Sequence, residues 1–362
     1  MSSRKDFIVV GGGIAGLAVA LNLAKHGYRV AVYDQGRLED SATAKAAGIL
    51  TFQMPPPFVD WAVETLNIYR GMRGSDEGLK DVGALLFSVE SGCVERIKRW
   101  ISSYNLKAYS IDASRAESIA GVEFHVERDE EILYTSEFLV DVGWLLNTYQ
   151  KLLSEYDAEV RYGVSVSLSD NEVIAGGVKI RGEVVVAAGS WTPILLPELK
   201  DKLVMYRCQV ASVKGVKLGV IIEDDVSDYY ASPAGGNSIL LGDGSNTRLN
   251  EPNEGYKPDM WETYELMEKL ARRIKGVEEI YPESVWSAPC VTGRDGFPVA
   301  GAVSEGLYVI AGFNGVGISL APAIAERVAD VIRGVKKISE MLDPHREIKS
   351  VLMELPEPYR FC

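Results

Sequence analysis

Apolar residues cluster along this chain into short continuous runs that end at glycine, and the pattern recurs at three distant places. Phe7 to Val10 is a β-rich run that breaks at Gly11, Gly12 and Gly13. Past the break, Leu17, Ala20, Leu21 and Ala24 recur at helical spacing, and Gly27 falls where that helix would stop. Arg29 to Tyr33 then reads as a second strand ending at Asp34. Glu183 to Val186 runs into Ala188 and Gly189, and Leu307 to Ala311 runs into Gly312, Gly315 and Gly317 before a helix over 318–332. The three junctions predict one parallel-sheet domain assembled from separated pieces.

The material between these pieces follows a different period. Alternating runs near Val210–Val213, Val216–Ile222 and Ser238–Leu241 predict an antiparallel sheet. Strands are expected over 83–89, 122–134 and 159–166, and helices over 59–70, 94–104 and 139–153. The stripe Met260, Tyr264, Met267, Ala271 and Ile274 has helical spacing and reads as core packing. The second domain is therefore expected to be inserted: residues 1–50, 142–205 and 285–362 form the first, and 51–141 with 206–284 the second.

Composition narrows the function. Thirty-eight basic residues against 51 acidic ones give a net charge of −13, which argues against a nucleic-acid partner, because phosphate backbones reward clustered Lys and Arg. Cys93, Cys208, Cys290 and Cys362 are scattered with no metal-ligand or redox spacing, and the three histidines lie far apart. No metal site and no disulfide framework can be read, so reduced cytoplasmic thiols are the expectation. The run from Ile8 to Ala24 follows Arg4 and Lys5 in the manner of a secretory signal. It is short for a membrane span, and its glycines have a better explanation.

Gly11, Gly13 and Gly16 stand between a strand and a helix, and Asp34 ends the next strand 21 residues after Gly13. This is the dinucleotide fingerprint with its full context. Gly11 permits the tight turn, Gly13 lets a pyrophosphate approach the backbone, and Gly16 lets the helix pack on the sheet. Unpaired N–H groups at the helix start would bind the phosphates. Asp34 would accept hydrogen bonds from the adenosine ribose.

Five segments in register resemble the family of D-amino acid oxidase, glycine oxidase, sarcosine oxidase and the dye-linked proline dehydrogenases. They are the opening fingerprint, Ala46–Leu50, Val184–Trp191, Arg294–Pro298 and Gly312–Ala323. The resemblance implies an α/β fold with a Rossmann-type FAD-binding domain and an inserted, mainly antiparallel substrate-binding domain. It implies FAD as cofactor and oxidation of the C–N bond of a small amine or amino acid. A flavoenzyme acting on a 2-hydroxy acid or glycerol phosphate, a nicotinamide dehydrogenase and a non-catalytic flavin subunit are the alternatives. The electron acceptor (oxygen, a quinone or another redox protein), the stereochemistry and any homo-oligomer are left open.

The same resemblance distributes the site. Ile14, Ala15 and the fingerprint glycines would meet the pyrophosphate. Lys45, Ala46, Ala47 and Gly48 would run beside the isoalloxazine, with Lys45 read equally as a phosphate partner or a surface lysine. Val164 would meet the adenine edge, and Ala188, Gly189 and Trp191 would line the pyrophosphate and flavin side. Gly312, Asn314, Gly315, Val316, Gly317 and Ile318 would surround the flavin's N1 and C2 region, where backbone donors at a helix start stabilise the charge of the reduced ring. Ile49, Tyr230, Arg207 and Cys290 are the substrate-side candidates. Cys290 occupies a position where carboxylate-binding members carry an arginine, so Arg207 or Arg294 would have to supply that charge. An inert, partly buried thiol is expected at Cys290. No catalytic acid or base is assigned, because the flavin is the chemical agent.

Overall fold

The computed structural model describes residues 6–348 except 91, 170–171, 244–246 and 278. Its first layer is a six-stranded sheet whose order is Val299–Ser304, Leu307–Ala311, Glu183–Val186, Phe7–Val10, Val30–Tyr33 and Glu159–Arg161. All neighbours are parallel except the Val299–Ser304 and Leu307–Ala311 pair. The three glycine-terminated strands are thus adjacent, with Phe7–Val10 flanked by Glu183–Val186 and Val30–Tyr33. Beyond Glu183, Leu307 and Tyr308 at the strand starts, their side chains are buried on both faces, as strands covered by helices on one side and further sheet on the other must be.

Two helices pack together on this sheet, Ile14–Lys25 and Gly317–Ile332. Pro322 sits inside the second, and the Ile318 oxygen that its missing N–H leaves unpaired accepts instead from the Tyr69 hydroxyl at 2.8 Å. Val142–Glu155 joins the same core through Leu145, Leu146, Tyr149 and Leu153. Asp141 caps that helix by accepting from Trp144 N–H at 2.8 Å. The helix therefore begins three residues later than the apolar pattern suggested. Phe138–Val140 ahead of it is instead a strand in a small sheet with Ile49–Leu50 and Leu79–Asp81.

The second layer is an eight-stranded sheet. Its order is Tyr281–Gly293, Leu203–Lys214, Ser238–Gly242, Tyr229–Pro233, Ile221–Asp224, Ala84–Ser88, Glu131–Thr135 and Ala108–Ile111. All pairs are antiparallel except Ile221–Asp224 with Ala84–Ser88. Met260–Arg273 covers its outer face through Leu266, Met267 and Leu270. The strand expected over 122–134 is confined to Glu131–Thr135. The residues before it form a loop whose Phe124 packs on Phe87 with ring centroids 5.0 Å apart. The run 159–166 divides between the parallel sheet and a separate three-stranded sheet that starts at Val166. In both places β-forming residues were read as continuous because local propensity does not mark where pairing partners change.

The expectation of reduced, unpaired thiols is overturned. Cys208 and Cys290 form a disulfide, and none of the described cysteines is a free thiol. The pair lies on the two longest strands, where Cys208 faces Ala288 and Tyr206 faces Cys290, with Cα atoms 6.0 Å apart. A separation of 82 residues hides this proximity from any spacing rule. Among the described residues no helix is long and apolar enough to cross a membrane.

Candidate functional site

The turn after the opening strand is built from contacts that only glycine tolerates. Gly11 has φ +114°, and a Cβ there would collide with the carbonyl oxygen of Ala187 at the end of the neighbouring strand. A Cβ on Gly16 would collide with the carbonyl oxygen of Gly11. Helix and two strands therefore close to backbone contact at this corner. A Cβ on Gly13 would have only Thr43 Oγ1 nearby, at 3.2 Å. That side of the turn remains open.

Asp34 is half-buried beside it. Its Oδ2 accepts from Gly12 N–H at 2.7 Å and its Oδ1 from Gly36 N–H at 2.8 Å. Each oxygen keeps a further lone pair for a ribose hydroxyl. Val164 N–H donates to the main-chain oxygen of Asp34 at 2.8 Å, which brings Val164 to the same end of the sheet. Tyr162, not anticipated, lies over Gly12, and its hydroxyl donates to the Gly12 oxygen at 3.3 Å. Thr43 is a second addition: its Oγ1 accepts from Ile14 N–H at 3.1 Å.

The two distant glycine turns converge. A Cβ on Gly317 would lie 3.6 Å from Ile14 Cγ2. Neither helix start carries a side-chain cap or an acidic residue in its first turn. By contrast, Asp112, Asp141 and Asp259 cap the helices that begin at residues 113, 142 and 260. A start with no cap from its own N-cap residue and no acid in its first turn leaves N–H groups and a partial positive charge for a ligand. Two such starts side by side suit a dinucleotide that carries a pyrophosphate in its middle and, at one end, a ring that becomes anionic on reduction. The residues present therefore fit FAD.

A cavity opens where the 42–49 loop, the Gly315–Ile318 turn and the inner face of the large sheet meet. Lys45, Ala46, Ala47, Gly48 and Ile49 line one wall, and Gly315, Val316 and Ile318 another. Tyr230 and Cys290 also face it. Trp286 Nε1 holds the loop by donating to the Lys45 oxygen at 2.8 Å. Lys45 Nζ stands 5.9 Å from the Tyr256 ring centre, and Trp191 packs against the same ring from 6.1 Å. Ala188 precedes that Trp191 turn, in which Gly189 has φ +51° and open space around its missing side chain. Asn314 is buried, has φ +48°, and accepts from the Tyr206 hydroxyl at 3.0 Å. It thereby fixes the turn after Gly312 to the large sheet.

Arg207 does not reach the cavity. Its guanidinium pairs with Glu262 and donates to the Lys257 oxygen at 3.2 Å. Arg294 is likewise absent from the lining. Among the described residues the lining contains no arginine. Its acidic members are Glu223, Asp225, Asp228 and Asp243, together with Asp224, whose side chain turns to Arg273. Burial, with Asp225 adding repulsion, pushes Glu223 up to about 8. Behind it, Glu137 is fully buried and raised well above the usual carboxylate range by burial and by Glu223. Glu137 Oε1 accepts from Thr51 Oγ1 at 2.8 Å, Phe52 N–H at 3.2 Å and Gln53 Nε2 at 3.3 Å. Tyr230 is also raised, by burial and then by Asp243.

The family described as FAD dependent oxidoreductase matches residues 6–331, nearly the whole chain. The chain belongs to that family. Glycine oxidase from Bacillus licheniformis is 24% identical over 371 residues, covering 92% of this chain and 94% of that protein. The crystal structure of L-proline dehydrogenase from P. horikoshii superposes with a TM-score of 0.84 at 19% identity, covering 95% of this chain and 98% of that one. Glycine oxidase from Geobacillus kaustophilus gives 0.81 at 21% identity, covering 95% and 99%. The protein is therefore an FAD-dependent oxidoreductase with the α/β fold of these enzymes.

Proposed function

We infer that this flavoenzyme oxidises the C–N bond of a small amine or amino acid, as a dehydrogenase or an oxidase. The observation that carries the reading is one cavity shared by the uncapped Gly317 helix start and the inner face of the antiparallel sheet. An anion-stabilising corner there faces a pocket for an organic molecule. The relatives named glycine oxidase and L-proline dehydrogenase support the same chemistry.

In this reading Gly11, Gly13, Ile14, Ala15 and Gly16 hold the pyrophosphate, with Thr43 Oγ1 at the edge of that space. Asp34 takes the ribose, and Val164 lies beside the adenine. Ala188, Gly189 and Trp191 flank the middle of the cofactor. Lys45 to Ile49 lie along the flavin, and N–H groups from Gly315 to Ile318 stabilise its reduced form. The flavin, when bound, supplies the two-electron acceptor. The chain's own task is to orient the amine, exclude water and accept the proton that leaves the nitrogen. Ile49 and Tyr230 supply walls for the substrate.

Purified protein should be yellow. Anaerobic addition of a panel of amino acids and amines should bleach it, whereas glycolate and glycerol 3-phosphate should not. Bleaching by the alcohols alone would replace this reading with oxidation of a hydroxyl. Exposure of the reduced protein to oxygen or a quinone then separates oxidase from dehydrogenase.

A further inference from the structure

Glu223 lines the cavity. It stands opposite Tyr230 across one strand pair and opposite Leu86 across the other, and all three line the cavity. Beyond Tyr230 the next strand presents Gly242, where a Cβ would lie 2.6 Å from the Tyr230 hydroxyl. The missing side chain lets the tyrosine ring lie along the sheet. Neither arginine expected beside a substrate carboxylate lines the cavity, since Arg207 pairs with Glu262 and Arg294 lies outside, and the lysine in the wall, Lys45, stands over the Tyr256 ring.

Gln53 gives an independent indication. It is only 6% exposed and lines the same cavity. Its amide nitrogen donates to Thr135 Oγ1 at 3.1 Å and to Glu137 Oε1. Its Oε1 is buried with no hydrogen-bond partner. A buried acceptor left unmatched costs free energy unless a donor arrives. Glu223, which no arginine among the described residues reaches, and an unmatched amide oxygen in one cavity call for a ligand that is cationic and rich in N–H donors.

We propose that the substrate is a diamine, or an amine carrying a second cationic group, whose non-reacting ammonium pairs with Glu223 while its N–H donors satisfy Gln53 Oε1. The inference rests on the flavin-dependent amine reading above. The reacting nitrogen cannot be the charged one, because its lone pair must form the new C=N bond. As that bond forms, the C–H bond breaks with both electrons and hydrogen passing to the flavin. Loss of the nitrogen proton leaves an imine, and water addition gives an aldehyde and ammonia. The reduced flavin returns its electrons to oxygen or a quinone. A permanent charge held by Glu223 must therefore belong to the far end of the molecule. Glu223 is a specificity-determining residue in this scheme.

The test is anaerobic titration of the FAD-loaded protein, read by flavin absorbance and by calorimetric binding. The probes are 1,4-diaminobutane, butylamine, glycine and L-proline. The diamine should bind at least about tenfold tighter than the other three, equivalent to about 1.4 kcal/mol. Glu223→Gln should weaken the diamine about 10- to 100-fold while changing butylamine less than about threefold, and Glu223→Asp should restore part of the loss. Tighter binding and faster bleaching by glycine or L-proline than by the diamine would overturn the inference and leave the amine-oxidation reading standing. Bleaching by none of the four, with oxidation of glycolate, would overturn both. Equal loss for diamine and butylamine in Glu223→Gln would assign the residue a structural role and overturn its part.

Discussion

Glu223 and Asp224 are neighbours in sequence and opposites in circumstance. Side chains alternate along a strand, so Asp224 points to the outer face of the large sheet and Glu223 into the cavity. Asp224 is buried, and Arg273 reaches it at 2.6 Å while also binding Glu130 at 2.6 Å. Burial works against the Arg273 charge, but the hydrogen bonds to Glu130 and Asp224 outweigh it and raise its pKa. The guanidinium also stacks 4.5 Å above the Phe87 ring centre. On the inner face, Glu223 and Glu137 make no ion pair among the described residues. Both are pushed toward the neutral acid instead. The same strand thus shows that this fold can neutralise a buried acid with arginine, and that it does not do so for Glu223 on the cavity side. Charge pairing on one face serves stability. Its absence on the other keeps a recognition element available.

The strongest way to break the comparison is to remove the structural cation. Arg273→Met leaves Asp224 and Glu130 buried together without a counter-charge, and chemical denaturation should show a loss of about 3–5 kcal/mol. A cost below about 1 kcal/mol would mean that water reaches the pair and the two faces do not differ in kind. Next is Glu137→Leu, which removes the acceptor shared by Thr51, Phe52 and Gln53. It should cost about 2–4 kcal/mol, whereas Glu137→Gln, which keeps a carbonyl oxygen there, should cost much less.

A pH series sharpens the contrast. A carboxyl group whose folded pKa is raised binds its proton more tightly in the native state, so stability falls as pH climbs from the unfolded value toward the folded one. For Glu223 that window runs from its ordinary value of 4.5 to about 8. Glu223→Gln should therefore lose less thermal stability than the parent between pH 5 and pH 9. A parallel decline in both proteins would show that Glu223 is not the titrating group. Asp225 and Glu137 act on Glu223 with the same sign of charge, and Lys45 is the cation in the cavity wall. Diamine affinity should rise through the same window as Glu223 ionises. The smallest expected effect is Gly242→Ala, which crowds the Tyr230 hydroxyl. It should raise the diamine KM a few-fold with little change in Tm, a loss of packing space on the scale of about 1 kcal/mol.

The cofactor corner was legible because its chemistry is local. Gly11, Gly13, Gly16 and Asp34 are set by one strand–turn–helix–strand unit, and the collisions a Cβ would cause at Gly11 and Gly16 are what that spacing encodes. The 312–317 turn was legible for the same reason. Substrate recognition was less so. Tyr230 was singled out through the family resemblance, yet its partner Glu223 follows from the hairpin register, in which 224 pairs with 229 and 222 with 231. Reading Ile221–Asp224 and Tyr229–Pro233 as one hairpin would have found it. Arg207 was a reasonable candidate by position, but whether its side chain faces the cavity or Glu262 depends on a helix 55 residues away in sequence.

What the sequence by itself determined is therefore the set of strand-to-glycine corners, the acid at Asp34, and the division between parallel and antiparallel material. Each depends on residues within a few turns of one another, where backbone sterics and hydrophobic period leave few choices. Only the tertiary structure decided that the two glycine corners touch, that Cys208 meets Cys290, and which carboxylates receive an arginine. The first comes from helices packed side by side on one sheet, and the other two from strand register and face, where a one-residue shift would move every side chain to the opposite side.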